Sequence, residues 1–151
     1  TALLLKWLKA PARFDRMVLM FQKEVADRLT AAPRSPASGR LSVAVPWRCR
    51  VRRLFDIPAR AFTPPPKVTS SLVELVPRAA PLAPADAGVL ERVTAAAFGQ
   101  RRKMLRTALK TLGADSEARL AAAGIAPTAR AEELAVEAFC ALARAYEGSG
   151  R

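Results

Sequence analysis

Residues 64–66 are three consecutive prolines, and they restrict the fold more tightly than any other stretch of the chain. Each ring fixes φ and removes a backbone donor. Ala61-Phe62-Thr63-Pro64-Pro65-Pro66-Lys67-Val68-Thr69-Ser70 can therefore be neither a helix nor a central strand. A β-prone run, Ser71-Leu72-Val73-Glu74-Leu75-Val76, follows at once. A stiff extended arm leading into a strand can hold one aromatic ring, that of Phe62, in a fixed place at a sheet edge. The plainer alternative is a Pro-rich surface connection with a core Phe.

The rest of the first half alternates helix and strand. Ala2 to Leu8 reads as a helix, too short to cross a bilayer and with no basic leader before it, so the chain is expected to begin in mid-domain. Met17-Val18-Leu19-Met20-Phe21 is a continuous apolar run, the pattern of a strand buried on both faces of a parallel sheet. Lys23 to Ala31 is helical in pattern, residues 33–39 are a loop, and Arg40 to Cys49 is a helix in which Pro46 predicts a kink or two shorter pieces. Arg50 to Ile57 alternates, with Val51, Phe55 and Ile57 on one face and Arg50, Arg52 and Asp56 on the other. Together these elements predict an α/β layer over residues 1–77. Residues 78–85 carry Pro81 and Pro84 without periodicity and are expected to be a linker. Residues 86–147 then read as a small helical domain. Asp86 is its first N-cap, Gly99 a helix stop, a helix is expected from Arg101 to Leu112, and Val136, Phe139, Cys140 and Ala143 face inward on the last helix. Residues 148–151 read as a frayed tail. The fold class is thus α/β followed by all-α.

The net charge of +12 suggests a polyanionic partner, most simply nucleic acid. Fourteen basic and five acidic residues lie in 1–77, so the excess belongs mainly to the α/β part. There is no histidine, which excludes Ser-His-Asp, Cys-His and His-metal chemistry from this chain, and no metal site is expected. Cys49 and Cys140 fit neither a disulfide framework nor a ligand cluster and read as buried thiols of a cytoplasmic protein. No GxGxxG or P-loop is present, and Glu132-Glu133 read as a solvated turn and not as a catalytic pair. Within the expected 101–112 helix, Leu105, Ala108, Leu109 and Leu112 face the core, while Arg102, Lys103, Arg106 and Lys110 fall on an adjoining stripe without an acid. The stripe is a candidate phosphate contact, or else a solvated basic face. Arg48, Arg50, Arg52 and Arg53 form a second basic set, and Lys67 lies in the proline arm.

Phe62, Pro64, Pro66, Val68 and Ser70 match the F-x-P-x-P-x-V-x-S segment of the ribosomal RNA adenine dimethyltransferase family, which the chain closely resembles. The likeness continues, in order, through residues 22–29, Gly39-Arg40-Leu41-Ser42-Val43, Ala97-Phe98-Gly99-Gln100-Arg101-Arg102-Lys103 and Arg130-Ala131-Glu132-Glu133-Leu134. The second helical signature favours the KsgA-type small-subunit enzymes over the erythromycin-resistance methylases. The resemblance implies the C-terminal portion of a Rossmann-like S-adenosylmethionine methyltransferase domain, followed by a small helical domain. It further implies a monomeric parent enzyme that dimethylates two adjacent adenosines near the end of small-subunit rRNA. Phe62 would help hold the extruded base, the only catalytic role carried over, with Arg102, Lys103, Arg106, Lys110, Arg52, Arg53 and Lys67 as RNA-binding candidates. The family's glycine-rich cofactor loop, acidic ribose ligand and Asn-Leu-Pro-Tyr motif all precede the segment resembling Thr1–Leu8, so the cofactor-binding residues are expected to be absent here and the isolated chain inactive. Ser38, Pro46 and Ala135 depart from the usual Tyr, Gln and Ser or Thr. Two other readings stay open: a non-catalytic rRNA-binding or ribosome-assembly factor, and a resistance methylase acting on large-subunit RNA.

Overall fold

A computed structural model describes residues 2–9 and 14–148. Strands β1 (Met17–Gln22), β2 (Cys49–Ile57) and β3 (Ser70–Pro77) form a sheet of order β1-β3-β2, and β3 runs antiparallel to both neighbours. β3 takes the centre because its alternation is cleanest. Val73 and Leu75 are fully buried against helices on one face, where Met17 of β1 and Cys49 of β2 join them. Helices α1 (Ala2–Leu8) and α2 (Lys23–Leu29) cover that face through Leu4, Leu8, Ala26 and Leu29.

Helix α3 (Leu41–Arg48) serves two cores. Val45 packs into the sheet cluster, whereas Val43 and Trp47 join a second cluster made by α4 (Ala87–Gly99), α5 (Leu105–Ala108), α6 (Ser116–Ala122), α7 (Val136–Tyr146) and the 3-10 turns Leu109–Leu112 and Ala131–Glu133. Leu105, Leu109, Leu120, Phe139 and Leu142 are its fully buried centre, and the Phe98 and Phe139 rings lie 5.6 Å apart. Asp86 caps α4 by accepting from the Val89 N–H at 3.0 Å, whereas Ala135 caps α7 with no side-chain bond. Residues 78–85 form no helix or strand but are not loose: the Trp47 indole donates to the Ala83 carbonyl at 2.7 Å, and Arg78 Nε donates to the Pro46 carbonyl at 2.9 Å.

Four expectations are corrected. β1 is an antiparallel strand buried on one face only: Val18 and Met20 are 46% and 52% exposed, because no helix among the described residues covers the outer face. A bulge between Arg53 and Phe55 moves Phe55 and Ile57 to the face of Arg50 and Arg52, leaving Phe55 57% exposed. Helix α3 runs through Pro46 as one segment and not as two shorter pieces, Pro46 costing a single backbone bond near its last turn. The expected 101–112 helix does not start at Arg101. Residues 101–104 form a turn, and α5 begins at Leu105, whose N–H donates to the Ala129 carbonyl while that of Arg106 donates to Pro127. Of the expected tail, residues 149–151 lie outside the described residues.

Candidate nucleic-acid interface

The proline arm lies between β2 and β3, at the end of the sheet where β1 and β2 finish. In register, Gln22 pairs with Ser70 and Ser70 with Ile57, so the arm hangs from the C-terminal end of β1. A short 3-10 turn, Ala59–Ala61, starts it, and the Phe62 N–H closes that turn onto the Ala59 carbonyl at 3.2 Å. Its far end is tied down by the Lys23 N–H, which donates to the Thr69 carbonyl at 2.9 Å. Between these two anchors Thr63 to Val68 are exposed, and the Thr63–Pro64 peptide is cis. Phe62 is half-buried and belongs to neither apolar cluster; Arg60 and Lys67 beside it are exposed and in no ion pair among the described residues. The arm's backbone is thus anchored at both ends, and Phe62 lies outside both cores.

The other cations are distributed differently from the sequence pattern. Arg102 and Lys103 sit in the turn before α5, Arg106 on α5 and Lys110 on the following 3-10 turn, so they are not one helical stripe. All four are nevertheless exposed, and none pairs with a carboxylate among the described residues. Arg101, their neighbour, turns inward and pairs with Glu132. Arg52 is exposed but lies 3.4 Å from Glu74, which Arg16 also approaches at 3.4 Å. Arg53 projects to the helix-covered face and donates to Asp27. That bond, chiefly, holds the Asp27 carboxyl below the ordinary carboxylate range; partial burial opposes it and Lys23 assists. Arg53 is therefore ion-paired with Asp27, in contrast with the exposed cations around α5. Arg16 and Arg60 were not singled out from the sequence, and Arg60 was findable as the one cation in the turn leading to Phe62.

The described residues contain no group of three or more Cys, Asp or Glu side chains placed to hold a metal ion, and no helix among them is long and apolar enough to cross a membrane. Burial pushes the Cys49 thiol up and the Cys140 thiol up to about 11, so neither is a thiolate nucleophile near neutral pH. The described residues present a half-buried aromatic on an anchored arm and two exposed groups of cations.

A family profile described as ribosomal RNA adenine dimethylase matches residues 1–147, and the chain belongs to that family. Its curated relatives include proteins named ribosomal RNA small subunit methyltransferase A, from Paramagnetospirillum magneticum (66% identical, covering 97% of this chain) and Rhodospirillum rubrum (61%, covering 99%). The chain spans about half the length of these relatives, 52% in each case. Among solved structures, a dimethyladenosine transferase from Plasmodium falciparum superposes with a TM-score of 0.77 at 22% identity, over 99% of this chain and 64% of the other. The 23S rRNA methyltransferase ErmE superposes with a TM-score of 0.62 at 23% identity, over 95% and 59%. The small α/β sheet with appended helices is therefore the fold of part of a methyltransferase of this kind.

Proposed function

We propose that this chain supplies the target-base arm and RNA-docking surface of an S-adenosylmethionine-dependent rRNA dimethyltransferase acting on two adjacent adenosines of small-subunit rRNA. The observation that carries the reading is Phe62. It is half-buried, belongs to neither apolar cluster and sits on an arm whose backbone is tied down at both ends, and it stands at the sheet end where β1 terminates, the end at which open α/β sheets place their ligands. An exocyclic amine whose lone pair is conjugated into the purine ring gains from orientation more than from a general base. The base must leave its stack to be reached, and an aromatic face receives it. The cations at Lys67, Arg102, Lys103, Arg106 and Lys110 would hold the polynucleotide by its phosphates.

In our reading this chain does not itself hold the cofactor. No glycine follows any of the three strands. A Cβ added at Gly39, Gly99, Gly124 or Gly148 would meet nothing within 4 Å, and at Gly88 and Gly113 it would meet only an aspartate side chain, so no packing contact within the protein requires a glycine at these six positions. In our reading the cofactor is held by other parts of the parent enzyme, and no chemical step is assigned to it here.

The test is Phe62→Ala and Phe62→Trp in the intact parent protein, assayed on assembling small subunits. Stacking of this kind is worth about 1–3 kcal/mol, so Ala should lower kcat/KM by roughly 5- to 150-fold, while Trp retains most activity and KM for S-adenosylmethionine stays unchanged. Wild-type rates for Phe62→Ala would remove the role given to the ring. Methylation mapped to large-subunit RNA would favour the resistance-methylase alternative, and no methylation with RNA binding retained would favour the assembly factor.

A further inference from the structure

Gln100-Arg101-Arg102-Lys103 and Arg130-Ala131-Glu132-Glu133 are only partly used by that docking surface. In the structure the two segments meet. Arg101 Nε and Nη2 lie 3.3 and 3.2 Å from Glu132 Oε2, and the same Nη2 donates to the Pro36 carbonyl at 2.5 Å and the Ser35 carbonyl at 3.4 Å. The Glu132 carbonyl in turn accepts from the Arg34 N–H at 2.5 Å. Arg34 itself sits at φ 71°, a left-handed position that a non-glycine residue adopts only when its surroundings impose it. Glu132 thus holds the 34–36 loop twice, by its own backbone and through Arg101. That loop runs from α2 of the sheet part, whereas Arg101 and Glu132 belong to the helical part, and between the two parts lies a groove of about 1260 Å³ bordered by α1, α2, α3 and α4.

We propose that Arg101 and Glu132 form a clasp that sets the position of the helical part, with its exposed cations, relative to the proline arm. They are positioning residues: Arg101 directs Nε and Nη2 to three acceptors inside the protein, Glu132 Oε2 and the Ser35 and Pro36 carbonyls, while its neighbours Arg102 and Lys103 are exposed and pair with no carboxylate among the described residues. The proposal rests on the docking reading above for its functional meaning, but its geometry stands independently.

The two are separated by measuring both in the full-length parent. Spin labels at Arg60→Cys on the arm and Ala118→Cys on α6 report the distance between the parts, since Cys49 and Cys140 are fully buried and take no label. One narrow distance distribution is expected, broadening in Glu132→Ala and less so in Glu132→Gln; an unchanged distribution in Glu132→Ala overturns the clasp. Binding of a small-subunit rRNA fragment is then followed against salt. Removing an acid should tighten RNA binding if charge alone mattered. The clasp instead requires Glu132→Ala to weaken it by about three- to tenfold, with Arg101→Ala the same and the double variant no worse. Arg101→Ala should leave the salt slope unchanged, whereas a direct phosphate contact would lower it by about 0.9. Tighter binding by Glu132→Ala, or a slope change in Arg101→Ala, overturns the proposal. If the wild-type protein binds no RNA, the docking reading fails while the distance measurement still decides the clasp.

Discussion

Replacing Arg53 by Met distinguishes a structural cation from an RNA-binding one. Arg53 and Asp27 are 29% and 37% exposed at their side chains, so their charge-assisted bond is neither dry nor fully solvated. A hydrogen bond to a charged group is worth about 1.5–3 kcal/mol when well shielded and an exposed pair about 0.2–1 kcal/mol. Discounted for this degree of exposure, the loss should be about 1 kcal/mol, slightly offset because Arg53 Nε is itself buried without a partner. The pH dependence follows from the depressed Asp27 carboxyl. A carboxylate with a folded pKa below its unfolded value of about 3.9 contributes its stability above that value and loses it as pH falls through the folded pKa. Urea unfolding of wild type and Arg53→Met should therefore differ by a constant amount from pH 8 to pH 5, with the gap closing below about pH 4. RNA titrations of the same variant should keep the wild-type salt slope. Equal stability at pH 7 together with a slope reduced by about 0.9 would refute the reasoning and return Arg53 to the RNA footprint.

Three further outcomes are expected. Arg102→Glu with Arg106→Glu should weaken rRNA binding and lower the salt slope by about 0.9 for each phosphate no longer neutralised; an unchanged slope would exclude this cluster from the RNA interface. Leu75→Ala, at a fully buried position in the central strand, should lower unfolding free energy by about 2–5 kcal/mol, read as a drop in denaturation midpoint. Cys140, with its thiol raised to about 11, should resist iodoacetamide at pH 8 in the native protein and react once denaturant is added; rapid native modification would show that the helical core opens.

Features written in neighbouring residues could be read from the sequence, while those made by distant ones could not. The Asp86 cap needs only a carboxylate three residues before an N–H, the inward face of α7 needs only the helical period, and the proline arm needs only its own rings. The apolar run of β1 misled because a strand with one covered face can still be apolar on the other. The bulge at Arg53–Phe55 inverted a correct alternation with one residue. The 101–112 stripe failed since the periodicity of Leu105, Ala108, Leu109 and Leu112 says nothing of the turn before it, which is set by carbonyls at Pro127 and Ala129. Most consequentially for the site, the fates of Arg53 and Arg101 depend on Asp27 and Glu132, 26 and 31 residues away, and no local pattern names those partners.

The central claim is that the ring of residue 62 meets an extruded adenine. Placing p-benzoylphenylalanine at position 62 of the intact parent, irradiating it on assembling small subunits and sequencing the cross-linked RNA tests this directly. The account expects a cross-link at one of two adjacent adenosines near the end of small-subunit rRNA, abolished when unlabelled wild-type protein competes. Cross-links confined to the protein itself, or scattered along the RNA without reference to those adenosines, would contradict it.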